Sequence, residues 1–290
     1  MIEATAFKTT VWPQDMDEDA FYGLAGEIVK IIEPHSEADL NGLLVQLLVA
    51  IGNVIGPSPY YRVESTHHHT NLFAVMVGDT AKARKGTSWQ WVPKIINMAD
   101  DHWHGCMATG MSSGEGIIYQ VQDGDGETEA PDRRLMIIEG EFAQALKVSR
   151  REGNTLSPVM RNAWDGGVLR TLTRNSPLIA TDAHISVVGH ITQDELLRHL
   201  CQTDMANGFG NRFLWVCVRR SKLLPHGGRL GDGELVPLAH TLREVFALAR
   251  QGGAVRFDAA AKTAWESIYS SLAKSEVGLI GAMTARNEAQ

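Results

Sequence analysis

The stretch covering residues 71–98 constrains the fold more than any other part of the chain. It starts with the apolar run LFAVMV, which does not alternate with polar residues and is therefore typical of a strand buried on both faces. A polar loop, GDTAKARKGTS, follows, and apolar residues then return at helical spacing. A buried strand that leads through a short loop into a helix indicates a parallel sheet covered by helices.

Three further short apolar runs support the same architecture. They cover residues 135–138, 185–188 and 213–218, with helical stretches between them. We therefore predict an α/β fold with a mainly parallel sheet. Residues 169–181 contain a polar break at 175–177 and predict a hairpin.

Apolar residues at helical spacing predict an N-terminal helical region over residues 1–70. The second of two periodic stretches is the stronger, and it closes near Gly52 and Gly56 before Pro57 breaks the pattern. The periodic positions are Phe21, Leu24, Ile28 and Ile31, then Leu40, Leu43, Leu44, Leu47, Leu48 and Ile51. The predicted α/β core covers residues 71–225.

Residues 226–290 are predicted to form a C-terminal helical region. One helix over residues 238–250 is expected to stop at Gly252 and Gly253, and another to begin after Asp258 as its N-cap. The final residues, TARNEAQ, carry no helix stop signal, so we expect the domain to continue beyond Gln290.

The polar loop after the first apolar strand resembles a phosphate-binding loop. The common pattern is GxxxxGK[ST], in which the backbone N–H groups face phosphate oxygens, the Lys reaches the outer phosphates and the hydroxyl binds Mg²⁺. Here Gly78 opens the loop, but Lys85 comes one residue late and follows Arg84 rather than a glycine. The loop is therefore irregular, and a solvated polar turn is the alternative interpretation.

The position of the loop favours nucleotide binding, because the following helix would aim its N-terminal dipole at a bound anion. Lys85 is the candidate for the β- and γ-phosphates, and Thr87 is the candidate for the metal-side hydroxyl, with Ser88 as the fallback. The remaining candidates, which contribute backbone or positive charge, are Gly78, Lys82, Arg84 and Gly86.

Two acids end the apolar run at residues 135–138. ATP hydrolysis requires a carboxylate for the metal side and another that orients the attacking water. Glu139 is the candidate for the metal side and Glu141 for the catalytic base. The alternative is an ordinary strand end with solvated acids. For Glu115, a place in the first turn of a helix capped by Ser112 or Ser113 is the preferred interpretation.

Two later residues are candidates for contacts with the γ-phosphate. His190 follows the apolar run 185–188 and can sense the phosphate from a strand tip, although Thr192 and Glu195 just beyond it also predict a helix capping box. Arg212 can act as a finger on the ATP of a neighbouring subunit, and Arg219 and Arg220 compete for that role.

Charge and cysteine content narrow the class of protein. The net charge is -7, yet residues 131–230 hold 14 Lys and Arg against 9 Asp and Glu, which permits a polyanionic ligand there. The three cysteines form no CxxC pair and His67–His69 lack further ligands, so we expect no zinc site and a cytoplasmic location. The sequence contains no apolar run of about 18 residues, the length that would predict a membrane span, and no secretion signal is visible.

Four blocks of the sequence resemble one known family. They are LFAVMVGDTAKARKGTS, LMIIEGEFAQAL, SVVGHITQDEL and NGFGNRFLW, in this order, within a similarity that spans residues 21–290. The family consists of poorly characterised phage, prophage and plasmid proteins that are helicase-like P-loop ATPases, often joined to a primase-polymerase module.

The resemblance implies a RecA-type core followed by a helical region, ATP and Mg²⁺ as ligands, and a role in the replication of a mobile element. Within it, Lys85 marks the phosphate loop, Glu141 the acid and Arg212 the arginine near the last strand. The chain departs from the family in its irregular loop and in the sequence Glu-Gly-Glu where Asp-Glu is usual.

Three functional hypotheses follow. The first is an ATPase motor on single-stranded DNA, assembled as a homo-oligomer or ring with ATP between subunits and with primase or replication partners. Its nucleic-acid face would include the basic stretch around Trp164, namely Arg150, Arg151, Arg161, Arg170 and Arg174. The second is a nucleotide-binding switch or assembly module with little hydrolysis. The third is a small-molecule kinase, suggested by the order Lys85-Gly86-Thr87.

Overall fold

The computed structural model describes residues 12–79, 85–124, 132–172, 177–201, 204–205, 207–274, 281 and 283–286, with the side chain of Lys85 outside the description. The strands are β1 (Pro59–Val63), β2 (Thr66–His68), β3 (Phe73–Gly78), β4 (Met107–Ala108), β5 (Arg134–Glu139), β6 (Leu169–Arg170), β7 (Ile179–Ala180), β8 (His184–Thr192), β9 (Leu214–Cys217) and β10 (Gly253–Val255). The helices are α1 (Gly23–Ile32), α2 (Leu40–Ile55), α3 (Lys85–Ala99), α4 (Gly114–Gln120), α5 (Phe142–Ser149), α6 (Leu156–Trp164), α7 (Gln193–His199), α8 (Asp232–Ala249) and α9 (Ala259–Leu272).

The central sheet has five strands in the order β4-β5-β8-β3-β9, and every neighbouring pair is parallel. All four predicted apolar strands lie in it, as β3, β5, β8 and β9, so the predicted α/β fold with a parallel sheet is confirmed. The added member is β4, which is too short to leave a periodic pattern in the sequence. Its partner β5 holds it at the edge through Met107 and Ala108.

Each face of the sheet is covered by its own layer of helices. Alternate side chains of β3 point to opposite faces, so Ala74 and Met76 enter one core while Val75 and Val77 enter the other. The first core is built with α1, α2, α3 and α8, and the second with α4, α5, α6 and α7. We call these the first and second faces of the sheet.

The strand order reverses between β3 and β8. The chain leaves β3 through α3 on the first face and leaves β8 through α7 on the second face. Adjacent parallel strands whose following helices lie on opposite faces open a crevice at their carboxyl ends, and ligands of open α/β sheets bind at such points. Gly78 of β3 is paired with Thr192 of β8, and the crevice lies beside these two residues.

The predicted N-terminal helices are confirmed as α1 and α2. The second ends at Gly56, whose φ of +82° suits glycine. The prediction of an all-helical region was wrong for residues 59–68, because β1 and β2 form an antiparallel pair there. The distant strand β10 then pairs in parallel with β1 and completes a small three-stranded sheet.

The C-terminal helices and the hairpin also follow the sequence. Helix α8 ends just before Gly252, and the Asp258 carboxylate accepts a hydrogen bond from the Ala261 backbone N–H at the start of α9. Strands β6 and β7 pair as an antiparallel hairpin, whose turn at 173–176 lies outside the described residues. Among the described helices, none is both long and apolar enough to cross a membrane.

Candidate functional site

The candidate site lies at the carboxyl edge of the sheet, beside the point where the strand order reverses. Gly78 ends β3 and α3 begins at Lys85, so the strand and the helix follow in the predicted order, and residues 80–84 between them lie outside the described residues. Gly86 is exposed in the first turn. Lys82, Arg84 and the side chain of Lys85 lie outside the described residues.

The two hydroxyls in the first turn of α3 occupy different surroundings. Ser88 is only 4% exposed, and its Oγ accepts a hydrogen bond of 2.8 Å from the Gln46 side-chain amide. Thr87 instead lines an outward-facing cleft of about 530 Å³ together with Trp91 and Gly228. Ser88, which is the fallback in the sequence analysis, therefore shares the inner side of the loop helix with α2 and β8.

A buried polar chain joins this helix to β8. The Nε2 atom of His190 lies 3.1 Å from Gln46 Oε1, and Gln46 Nε2 donates to Ser88 Oγ and to the Gly42 carbonyl, both at 2.8 Å. Because both amide protons of Gln46 face oxygens, its Oε1 acts as the acceptor. The Nε2 atom of His190 therefore carries the proton in this bond.

Gln46 was not among the predicted site residues, although the sequence carries a signal for it. Gln46 and Asn53 are polar residues seven positions apart in an otherwise apolar helix, so both point to the same side. Both are fully buried against the first face of the sheet, where Asn53 donates to the Leu135 carbonyl and accepts from Trp103 Nε1. Two buried amides at this spacing indicate a helix that bonds to the sheet beneath it.

The two acids at the end of β5 differ in burial. Glu139 is 6% exposed, and its Oε1 accepts hydrogen bonds from the backbone N–H groups of Gly110 (2.6 Å) and Met111 (2.7 Å). This carboxylate therefore holds the loop after β4 against β5. Glu141 is exposed as the residue before α5, and its side chain makes no cap to that helix. Because Glu141 follows the carboxyl end of β5, it lies at the same edge of the sheet as Gly78.

Two structural roles foreseen for nearby residues are confirmed. Ser113 caps α4 by accepting from the Gly116 backbone N–H, and Glu115 accepts from the Thr155 hydroxyl, which lowers the pKa of its carboxyl. Thr192 and Glu195 form the capping box of α7, and that hydroxyl lowers the pKa of Glu195. His190 takes no part in this capping box, and its side chain lies on the first face of the sheet, under α2.

Arg212 lies at the opposite, amino edge of the sheet. It belongs to the short turn before β9, is 7% exposed, and bonds Asp165 at 2.6 Å and the Gly208 carbonyl at 2.6 Å. Its competitors follow the carboxyl end of β9. Arg219 is half exposed and pairs with Asp15, and Arg220 lies 3.6 Å from Glu37.

The predicted basic stretch is partly used within the fold. Arg150 donates to the His199 carbonyl, and Arg161 donates to the Asn207 carbonyl at 2.9 Å. Arg151 and Arg170 are exposed, and Arg174 lies outside the described residues. The stretch is therefore not one continuous free cationic surface.

Within the described residues, no group of three or more His, Cys, Asp or Glu side chains could hold a metal ion. His67 and His68 lie on β2 rather than in an approach to β3. Magnesium in phosphate sites takes only one or two protein oxygens and otherwise binds water and phosphates. The hydroxyls of α3 and the carboxylate of Glu139 are donors of that kind.

The sequence was compared with protein-family models and with curated proteins, and neither comparison gives a match. The geometry of the site is therefore the ground for a functional proposal.

Proposed function

We propose that this chain is a helicase-like P-loop ATPase with a RecA-type core, which binds and hydrolyses ATP in the DNA replication of a mobile element. The observation that carries the proposal is the buried chain Ser88–Gln46–His190 beside the end of β3. It links the first turn of the loop helix to the tip of the neighbouring strand. A contact between these two elements is what a phosphate sensor needs.

The order of the strands supports a RecA-type core. Strand β8, with His190 near its end, lies between the loop strand β3 and the acid strand β5. A polar group on the middle strand can then respond to a phosphate held by the loop and to the water oriented by the acid. The reversal of strand order between β3 and β8 supports a ligand at this edge.

Each candidate residue has a chemical role in this proposal. Lys85 and the N–H groups at the start of α3 bind phosphate oxygens, and Glu141 takes a proton from the attacking water. Ser88 and Glu139 would hold Mg²⁺, for which oxygen donors are suited, with Thr87 as the alternative hydroxyl. The ion, when bound, neutralises charge on the β- and γ-phosphates. Lys82 and Arg84 add positive charge to the loop.

The proposal includes assembly as an oligomer, for example a ring. The reason is that Arg212 lies at the amino edge of the sheet, opposite the edge at which β3 ends. An arginine at that edge would serve the ATP of a neighbouring subunit. It would first have to exchange its ion pair with Asp165 for the phosphate. Single-stranded DNA and primase or other replication proteins are the proposed partners.

One observation favours the second candidate, a nucleotide-binding switch with little turnover. Glu139 already accepts two backbone N–H groups through Oε1, so this oxygen is committed to the loop at Gly110 and Met111. A switch needs the phosphate loop but no second acid. The two candidates differ in whether nucleic acid stimulates hydrolysis.

The deciding measurement is ATP hydrolysis with and without single-stranded DNA, together with ATP binding. The variants are Lys85→Ala and Glu141→Gln. The matched controls are Lys147→Ala and Glu27→Gln, which change an exposed lysine on α5 and an exposed acid on α1. We expect DNA to stimulate turnover and Glu141→Gln to lower it by about 10²–10⁴-fold with ATP still bound, as for the loss of a general base.

Lys85→Ala is expected to lose both binding and turnover, and the controls to keep both. ATP binding that only Lys85→Ala abolishes, with no turnover in any protein, would favour the switch. A wild-type protein that binds no ATP would exclude both candidates.

A further inference from the structure

A second cleft lies at the amino edge of the central sheet, away from the candidate ATP site. It has a volume of about 680 Å³ and includes Leu72, the residue before β3. The small sheet forms one wall and the end of α6 the other. The residues that matter here are Tyr60, His67, His69, Trp164, Asp165 and Arg286. A cleft of this size accommodates a nucleotide-sized ligand.

The wall formed by the small sheet is aromatic. The rings of Tyr60 and His67 are stacked, with centroids 4.0 Å apart and planes inclined by 24°. His69 meets Tyr60 edge-on at 6.2 Å. The Nδ1 atom of His69 is buried and has no hydrogen-bond partner in the described part of the chain. Such an atom at a cleft favours a ligand that carries polar ring atoms.

The opposite wall carries two arginines on one tryptophan, of which Arg286 lines the cleft and Arg212 is buried. Arg212 and Arg286 both lie over the Trp164 ring, at 5.7 and 5.5 Å from its centroid, and both pair with Asp165. Two arginines therefore share one carboxylate. The Arg286–Asp165 pair is about 40% exposed on each side and 3.3 Å long, so its loss costs little. In a subunit whose Arg212 is not engaged with a neighbour's ATP, Arg286 can turn to a ligand phosphate while Arg212 keeps Asp165 neutralised.

Further aromatic rings continue from the cleft across the surface. Tyr61 also lines the cleft, and its ring starts a row that continues through Phe257, Trp265 and Tyr269. The centroids of successive rings in this row are 4.8, 5.9 and 5.4 Å apart. Phe257 and Tyr269 are 41% and 48% exposed. A row of partly exposed rings that leads out of a cleft suits a ligand longer than one nucleotide.

We propose that this cleft and the adjoining row of rings bind single-stranded nucleic acid. Bases stack on the Tyr60–His67 pair and along the row from Tyr61, and Arg286 contacts a phosphate. Stacking on aromatic side chains next to arginine is the means by which proteins hold single strands without reading their sequence. The arginine wall favours a polyanion over an apolar peptide.

This inference rests on the nucleic-acid part of the proposed function and does not depend on ATP. The cleft lies beside Leu72 at the amino end of β3, whereas Gly78 and the start of α3 lie at its carboxyl end. Strand binding and nucleotide binding can therefore be tested separately on the same protein.

The test is fluorescence anisotropy of labelled oligo-dT and oligo-rU of about 20 nucleotides, without ATP, over a series of salt concentrations. The two oligonucleotides distinguish DNA from RNA as the source of the strand. We expect Tyr60→Ala to weaken binding about ten-fold, as for the loss of one stacking ring. Tyr119→Ala, which removes an exposed tyrosine from α4, is the matched control and is expected to change nothing.

A second variant guards against misfolding of the half-buried Tyr60 position. Arg286→Gln changes a surface residue and is expected to lower the salt dependence of binding by about one counterion. ATP binding is expected to persist in both variants, whereas Lys85→Ala should bind the strand normally.

Equal affinities in the wild type, Tyr60→Ala and Arg286→Gln would overturn the inference. The same holds for a wild-type protein that binds neither oligonucleotide but forms dimers that Tyr60→Ala disrupts, because the rings would then be a protein interface. A wild-type protein that binds the oligonucleotides but not ATP would contradict the proposed ATPase function and still support this nucleic-acid site.

Discussion

Gln46 Oε1 and His190 Nε2 lie 3.1 Å apart, although 144 positions separate the two residues in the chain. The same amide donates to Ser88 Oγ at 2.8 Å, so one side chain joins α2, α3 and β8. All three residues are at most 5% exposed. A buried amide in this position can transmit a shift of the loop helix to the strand tip.

The Gln46–His190 bond is expected to give a measurable coupling energy. Gln46→Leu removes a hydrogen-bond partner of Ser88 and of His190, so it should lower the free energy of unfolding by about 1–3 kcal/mol. His190→Leu breaks the same bond, and the double variant should therefore lose less than the sum of the single losses. Urea unfolding of the four proteins measures the difference, which we expect to be about 0.5–3 kcal/mol.

A pair of distant positions provides the control for this cycle. Gln46→Leu combined with Thr241→Ala, on the exposed side of α8, should be additive. Strict additivity of Gln46→Leu and His190→Leu would show that the bond makes no contribution to stability.

The two hydroxyls of α3 are expected to differ in their effect on turnover. Ser88 faces β8 through Gln46, whereas Thr87 lines the outer cleft. Ser88→Ala should therefore lower kcat for ATP by about ten-fold or more, which corresponds to about 1.4 kcal/mol of transition-state stabilisation. Thr87→Ala should stay within about two-fold of the wild type, which corresponds to at most about 0.4 kcal/mol.

Steady-state hydrolysis, with circular dichroism to confirm folding, distinguishes the two hydroxyls. The reverse order of effects would return the metal-side role to Thr87. Ser88→Thr, which keeps a hydroxyl, should recover more activity than Ser88→Ala.

The sequence was most informative where strands are long and buried. Strands β3 and β8 leave apolar runs because both faces are covered, so their presence and parallel arrangement could be predicted. Strand β4 has two residues and leaves no pattern. Strands β1 and β2 are partly exposed and carry tyrosine, arginine and histidine, so their pairing depends on contacts that a local pattern does not contain.

The candidate site divides in the same way. The positions of Gly78, Glu139 and His190 at or near strand ends could be predicted because each follows an apolar run in the sequence. The partners of these residues could not be predicted, because they come from distant segments. Asp165 meets Arg212 across 47 positions, and the N–H of Gly110 meets Glu139 across 29. Such contacts depend on the packing of helices, which the spacing of residues along the chain does not specify.

Arg212 is expected to matter for stability as well as for any role between subunits. It is buried and paired with Asp165, so Arg212→Ala should lower the free energy of unfolding by about 3 kcal/mol. Arg219→Ala, at a half-exposed arginine, should change it by less than about 0.5 kcal/mol. Thermal or urea unfolding measures both values.

A mixing experiment separates the catalytic role of Arg212 from its structural one. Subunits with Arg212→Ala keep Lys85, and subunits with Lys85→Ala keep Arg212. If the arginine serves the ATP of a neighbour, mixing two inactive proteins should restore hydrolysis at mixed interfaces. Mixtures that stay inactive, although both variants are folded and assembled, would limit Arg212 to its pair with Asp165.

His184 is expected to make the fold sensitive to mild acid. Burial lowers the pKa of its imidazole from 6.5 to about 4. The Gly52 carbonyl, 3.0 Å from Nε2, favours the charged form and opposes this shift only in part. The unfolded chain takes up this proton near pH 6.5 and the folded chain only near pH 4. Stability from this group is therefore complete above pH 6.5 and is lost as the pH falls towards 4, by about 3 kcal/mol in all.

The test is the free energy of unfolding between pH 7 and pH 4 for the wild type and His184→Gln. The Gln amide can still donate to the Gly52 carbonyl but does not titrate, so the variant should lose less stability over this window. Hydrogen bonds from Arg134 and Cys106 lower the pKa of Asp132 to about 2 despite its burial. Protonation of Asp132 therefore changes the stability mainly below pH 4, and it does so in both proteins alike. Parallel stability curves for the two proteins would show that His184 is not the acid-sensitive group.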